Sequence, residues 1–314
     1  MMNRKLGKAT REAFGLALAA LGGTRPDVVV CDGDVGNSTR TELFGKQYPD
    51  RFFNFGIAES NLVSAASGFA ASGKQAWLAS FAAFVMCNAF DQLRMSVAFP
   101  CLDVKVVGSH AGISIGEDGP SQMGIEDVAL ACVLPNFTVV VPCDEPSTVA
   151  AVQALAAIQT PAYLRVGRPS VPIIYADAVP FTLGKANRLR EGGDVSIVAN
   201  GLMVALALDA AEALAKEGIQ ARVLDMHTVK PIDVDAIVDA AKETRRLVVA
   251  EEHLKFGGLG SIVATVVGEH YPVPVRHVCL PDTYAESGKP QELLTKYGLT
   301  WERIAETARS LVRG

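Results

Sequence analysis

No two cysteines stand in a Cys-x-x-Cys pair, although six are spread along the chain (Cys31, Cys87, Cys101, Cys132, Cys143 and Cys279). The usual zinc and dithiol spacings are therefore absent. The thiols lie in largely apolar sequence and read as reduced core residues of a cytoplasmic protein. No apolar run reaches the roughly 20 residues of a membrane span. The opening Met1–Lys8 has no apolar segment or cleavage site behind its basic residues, so no export signal is expected. Positive charge is in deficit, the formal net charge being −5. This excludes a general nucleic-acid footprint but leaves room for a local basic pocket. What the chain has is core: 49% hydrophobic and 20% charged residues over 314 positions, enough for two ordinary domains.

Short β-branched runs alternate with helical patterns almost throughout. Strands are expected at 27–31, 103–107, 138–141 and 162–165, with helices over 58–71, 82–97, 126–134 and 145–158. That alternation predicts an α/β fold, a parallel sheet covered on both faces. The Pro-containing stretch from Gly167 to Gly184 reads as a connection between domains. A second set follows: strands at 195–199, 221–225, 246–250 and 275–278, helices at 205–216 and 233–242. It predicts a second, smaller parallel-sheet α/β domain. The helix at 58–71 is rich in Ala, Ser and Gly. Such a face suits either a tight helix–helix or subunit contact or ordinary packing on a sheet.

Several segments carry possible chemistry. Asp32-Gly-Asp-Val-Gly-Asn-Ser38 follows a strand, where ligands of open α/β sheets collect. It lacks the acidic ladder of a calcium loop and reads as a strand-end turn. Glu59 opens a helix, a position ordinarily explained by the helix dipole. Phe81 and Phe84, three residues apart, would share one helix face and form either core packing or a flat platform for an aromatic ligand. The loop from His110 to Gln122 is denser in glycine, acids and hydroxyls than a mere connector requires. Phe256-Gly-Gly-Leu-Gly-Ser261 reads as a tight turn rather than as an anion-holding helix start.

Taken together, Asp32–Thr39, Ile57-Ala-Glu-Ser-Asn61, Ser80-Phe-Ala-Ala-Phe84, Ala89-Phe-Asp-Gln-Leu-Arg94, Gly116-Glu-Asp-Gly-Pro-Ser-Gln122, Leu164-Arg-Val-Gly-Arg-Pro169, Val229-Lys-Pro231 and Ser287-Gly-Lys-Pro290 resemble transketolase, its animal-type branch above all. They keep the family's order from about Ala9 onward. The resemblance covers the C-terminal half of a full-length transketolase. It implies a pyrimidine-binding domain over 1–175, a linker over 176–184 and a transketolase C-terminal domain over 185–314. The family's Gly-Asp-Gly…Asn metal motif has no counterpart here, since Asp32-Gly-Asp34 has no Asn at the right distance.

The resemblance implies a two-carbon ketol transfer from a ketose phosphate to an aldose acceptor, with thiamine diphosphate as cofactor. A separately encoded N-terminal subunit would hold the diphosphate and Mg²⁺ or Ca²⁺, the two forming an α2β2 heterotetramer. Glu59 matches the glutamate that hydrogen-bonds N1′ of the cofactor's aminopyrimidine. Phe81 and Phe84 would pack against that ring. Arg11, Ser38, His110 and Arg168 match the substrate-phosphate contacts, and Asp118 the residue that binds a donor hydroxyl. Gln122 stands where many microbial and plant transketolases carry histidine and the animal-type branch carries glutamine. No metal ligand is assigned, and the second domain contributes no catalytic residue. The alternatives are the beta subunit of a 2-oxo acid dehydrogenase, a transketolase for a branched or sulfonated sugar phosphate, or a non-catalytic regulatory or scaffold subunit.

Overall fold

The protein is described from a computed structural model, covering residues 4–176 and 179–314. Two residues of the 176–184 linker span, 177 and 178, and the first three of 1–175 lie outside the described residues. The chain opens with β1 (Leu6–Ala9) and α1 (Thr10–Thr24). It continues through β2 (Val28–Asp32), α2 (Gly36–Thr39), α3 (Glu42–Gln47), β3 (Phe52–Asn54), α4 (Glu59–Ala71), β4 (Gln75–Phe81), α5 (Ala82–Asn88) and α6 (Phe90–Gln92). Then come β5 (Val104–Ser109), α7 (Asp127–Val133), β6 (Thr138–Val140), α8 (Glu145–Ala156), β7 (Ala162–Arg165) and β8 (Ser170–Pro172).

Strands β6, β7, β5, β4, β2 and β3 lie side by side in that order and are all parallel. Helices cover both faces, and strand alternation divides the core between them. Val28 and Val30 face Phe14 and Leu18 of α1, while Val29 and Cys31 face Leu62 and Val63 of α4. Helix α8 starts on Asp144, whose Oδ1 accepts the Ser147 N–H at 2.9 Å in a reciprocal capping box.

The second unit comprises β9 (Asn187–Arg190), β10 (Val195–Ala199), α9 (Met203–Lys216), β11 (Ala221–Asp225), β12 (Thr228–Lys230), α10 (Val234–Thr244), β13 (Leu247–Leu254), α11 (Leu259–His270), β14 (Val275–Leu280), α12 (Pro290–Lys296) and α13 (Trp301–Arg313). Its sheet runs β14-β13-β10-β11-β9, parallel except for β9. Strand β12 leaves it and pairs antiparallel with β6, closing the edge of the first sheet. The apolar cluster beneath α4 also continues without a break into Val198, Leu224, Ile237 and Val249 of the second unit. No described helix is long and apolar enough to cross a membrane.

Three expectations need correction here. The helix expected over 82–97 breaks at Ala89 (φ −109°, ψ 18°), giving α5, α6 and a wider π-type stretch at Leu93–Ala98. Strand β4, central in the first sheet, has no counterpart among the expected strands, because Gln-Ala-Trp-Leu-Ala-Ser-Phe holds no β-branched residue and burial on both faces decides its state. The cysteines are not uniformly core: Cys31 and Cys143 are buried, Cys87 is exposed, and the others lie between.

Candidate active site

The carboxyl ends of parallel strands are where an open α/β sheet leaves backbone and loop groups available to a ligand. Ser38 follows β2, Glu59 starts the helix after β3, Phe81 ends β4, His110 follows β5 and Arg168 follows β7. Arg11 joins the same edge from α1, its N–H bonding to the Gly167 carbonyl.

Glu59 is 6% exposed, in the first turn of α4. Among the described residues its carboxylate receives one long hydrogen bond, from Ser80 Oγ at 3.4 Å. A buried carboxylate with so little local satisfaction suits a polar ligand that brings its own donor. One residue beyond Ser80 stands Phe81. Phe81 and Phe84 do not share a helix face, because Phe81 closes β4 and only Phe84 lies within α5. Their rings nonetheless stack, with centroids 5.5 Å apart and planes 10° apart. The Phe81 ring also stacks on the His110 imidazole, at 3.9 Å and 20°. The aromatic surface beside Glu59 is thus made of three stacked rings, Phe84, Phe81 and His110.

His110 is buried and adopts a left-handed backbone (φ 56°) that turns its ring back over the sheet edge. Arg11 Nη1 donates to its Nε2 at 2.9 Å. Guanidinium has no acceptor, so Nε2 must be unprotonated, and Nδ1–H then donates to Ser109 Oγ at 2.8 Å. Burial, then the charges of Arg11 and Arg168, push the His110 pKa down to about 3. Arg11 also donates to the Ser38 carbonyl at 2.9 Å. Its own pKa is lowered by burial and by the charges of Arg40 and Arg168. Arg168 donates to the Ile115 carbonyl at 2.7 Å and stands 3.5 Å from Asp118 and 3.6 Å from Glu117. The structure therefore gathers Arg11, Ser38, His110, Arg168 and Asp118 into one corner rich in guanidinium groups, with Asp118 and Glu117 beside Arg168. Gln122 stays within its own turn, its N–H on the Gly119 carbonyl and its Oε1 on Ser121 Oγ.

Arg40 belongs to this corner and is a residue that sequence reasoning missed. It lies two residues past Ser38 with a left-handed backbone (φ 69°). Its backbone and Cβ press on Gly15, where an added Cβ would meet the Arg40 Cβ at 2.4 Å. Gly15 is one helical turn from Arg11 on α1, which sets the two arginines on one face. The buried Arg40 Nε has no partner among the described residues. A basic residue so close behind Ser38 at a strand end was the available signal.

Asp32 is engaged by its own turn. Oδ1 accepts the Val35 N–H at 2.7 Å, and Oδ2 accepts the Thr39 and Thr41 hydroxyls at 2.9 and 2.7 Å. The segment Phe256–Ser261 opens with the expected turn, Gly257 at φ 80°, and then starts α11, whose anion is the chain's own. The Glu251 carboxylate accepts the Leu259 and Gly260 N–H groups at 2.8 and 2.7 Å. A cleft of about 680 Å³ between Pro169–Pro172, Leu206, Leu294 and Trp301 includes none of the site residues above. We place the site by the convergence of charge and aromatic rings rather than by cavity size, since a site completed by a second chain need not be concave in one.

Residues 7–173 match the family model "Transketolase, pyrimidine binding domain" and residues 184–304 match "Transketolase, C-terminal domain". "Transketolase-like protein 2" of Mus musculus is 40% identical over 97% of this chain, which covers 49% of that protein. One of the subunits of an apulose-4-phosphate transketolase from Phocaeicola vulgatus is 38% identical, with 97% of this chain and 98% of that one aligned. A solved structure described as "Split gene transketolase, inactive beta4 tetramer" superposes with a TM-score of 0.92 at 46% identity, over 98% of this chain and 99% of that one. The chain thus spans about half the length of the mouse relative and nearly the whole of the Phocaeicola relative.

Proposed function

This chain belongs to the transketolase family, and from that premise we propose that it is the pyrimidine-binding half of a two-chain transketolase that moves a two-carbon ketol unit from a ketose phosphate to an aldose. The carrying observation is that Glu59, an aromatic stack and a cluster of guanidiniums share one carboxyl edge of one sheet. Thiamine diphosphate would supply the carbon nucleophile that carries the two-carbon unit. Glu59 would share a proton with the ring nitrogen of its aminopyrimidine, with Phe84 and the edge of Phe81 against the ring face. The diphosphate and its Mg²⁺ or Ca²⁺ fall to the partner chain, in an α2β2 assembly.

At the other end of the site, Arg11, Ser38 and Arg168 would grip the donor's phosphate through charge-assisted hydrogen bonds. Asp118, beside Arg168, would receive a donor hydroxyl, and Gln122 would border the sugar. His110 in its present tautomer presents only a lone pair at Nε2. An anion placed among the arginines would offset their charge and draw off the Arg11 Nη1–H that Nε2 now accepts, so that Nε2 could take a proton and donate it toward the phosphate. The same guanidinium-rich corner disfavours a 2-oxo acid dehydrogenase, whose substrate brings no phosphate. The Phocaeicola relative, named for apulose 4-phosphate, supports a branched sugar phosphate as a donor to be tried.

The test is reconstitution. The chain is assayed alone, and then mixed with a separately encoded chain bearing a diphosphate-binding domain, thiamine diphosphate, Mg²⁺ and a panel of ketose phosphates. Activity in the mixture alone is expected. Full activity without a partner, or decarboxylation of a 2-oxo acid in place of ketol transfer, would overturn the reading.

A further inference from the structure

Glu252 lies on β13 of the second domain, far in sequence from the substrate loop, yet its buried side chain ends beneath that loop. Its Oε1 accepts the Ser114 N–H at 2.6 Å. Gly112, at φ +81°, passes so close that a Cβ there would stand 2.1 to 2.4 Å from the carboxylate carbon and both oxygens. The carboxylate therefore packs directly against the backbone that joins His110 to Asp118. Arg165 ties the same corner from below: its Nη2 donates to the carbonyls of Glu252 and Gly124, each at 2.9 Å. Gly124 in turn accepts the Gly112 N–H at 2.7 Å. Burial raises the pKa of Glu252 to about 7, against the opposing charge of Arg165. A buried carboxylate held by one backbone N–H is a costly way to fill space, so packing alone does not account for it.

We propose that Glu252 is a positioning residue for the substrate loop: by docking under Gly112–Ser114, the second domain sets where His110 and, through the Ile115 carbonyl, Arg168 stand and so tunes affinity for the phosphorylated end of the donor. This rests on the reading that His110 and Arg168 meet that end. The operative feature is an oxygen acceptor at the reach of a glutamate side chain, rather than negative charge.

The test compares Glu252→Ala, Glu252→Gln and Glu252→Asp by two readouts. Hydrogen exchange of the 110–122 peptide in the chain itself reports the loop directly. The Ala and Asp variants are expected to exchange faster there than wild type, and Gln, which keeps an acceptor at full reach, to remain near wild type. In the holoenzyme reconstituted with its diphosphate-binding partner, Ala and Asp should raise KM for a ketose phosphate roughly ten- to hundredfold. The expected change in kcat is within about twofold, and KM for an unphosphorylated ketose should move much less. Gln restores KM. Unchanged loop exchange in all three, or rescue by Asp and not by Gln, would overturn the positioning role even if Glu252→Ala proved unstable. Faster loop exchange with equal KM effects on both donors would instead break the link to phosphate and count against the anion-end reading.

Discussion

Two side chains, Arg168 and His110, separate a phosphate-binding corner from a merely basic one. Arg168 is half-exposed, held by the Ile115 carbonyl, and free to pivot from Asp118 to a ligand. Arg168→Ala is expected to raise KM for phosphorylated donors roughly ten- to hundredfold and to leave unphosphorylated donors nearly unaffected. Steady-state kinetics on both substrate types checks this, and equal effects would contradict it. His110 gives a second handle. Without an anion its ring should stay neutral down to about pH 3. Inorganic phosphate should move its titration upward, because the anion offsets the charges of Arg11 and Arg168. Nitrogen NMR of labelled histidine reads the shift directly, and a titration indifferent to phosphate would place the anion elsewhere.

Among the elements, the β13–α11 junction shows how a glycine-rich turn can lead into a helix start filled from elsewhere. Gly258 admits the Glu251 carboxylate so closely that a Cβ there would lie 2.3 Å from its oxygen, and that oxygen caps α11. Nothing in Phe256-Gly-Gly-Leu-Gly-Ser261 names the acid that fills the helix end, since the acid precedes the segment on another element. Glu251→Ala should leave two buried helix N–H groups without partners and cost about 2–4 kcal/mol. A lowered midpoint in thermal unfolding with unchanged KM is expected, and an unchanged midpoint would contradict the capping role. Strands made of Val and Ile, such as β2 and β10, were legible because side chain and burial agree. Strand β4 was not, because its state is imposed by neighbours on both sides. The candidate residues Glu59, His110 and Arg168 came from their own segments, and Arg40 had a local signal beside Ser38, whereas Glu252 reaches the loop through spatial neighbours that no local pattern encodes.

Across the whole molecule the two units share a core, and β12 binds one into the sheet of the other. A buried polar knot reinforces the join. Tyr175 OH donates to Asp225 Oδ2 at 2.7 Å, Asn187 Nδ2 donates to that hydroxyl at 2.9 Å, and Cys143 lies 3.6 Å from the same carboxylate oxygen. Burial raises the pKa of Asp225 to about 7, only partly offset by those hydrogen bonds and assisted by the nearby charge of Asp144. Between the ordinary aspartate range near 4 and pH 7, the folded chain holds a proton that the unfolded chain has lost. This group's contribution to stability therefore falls as pH rises through that window and is level above it. The difference in melting temperature between Asp225→Asn and wild type should rise in the variant's favour from pH 4 to 7, as followed by thermal scans across that range. A difference that does not vary with pH would show that Asp225 ionises normally.

The account as a whole stands on Glu59, a buried acid with only one weak partner in its own chain among the described residues. The most direct measurement is turnover of a ketose phosphate by the reconstituted two-chain enzyme carrying Glu59→Gln, with assembly followed by sedimentation. An intact complex whose kcat falls by roughly a hundredfold or more is expected. An intact complex that turns over at the wild-type rate would contradict the claim.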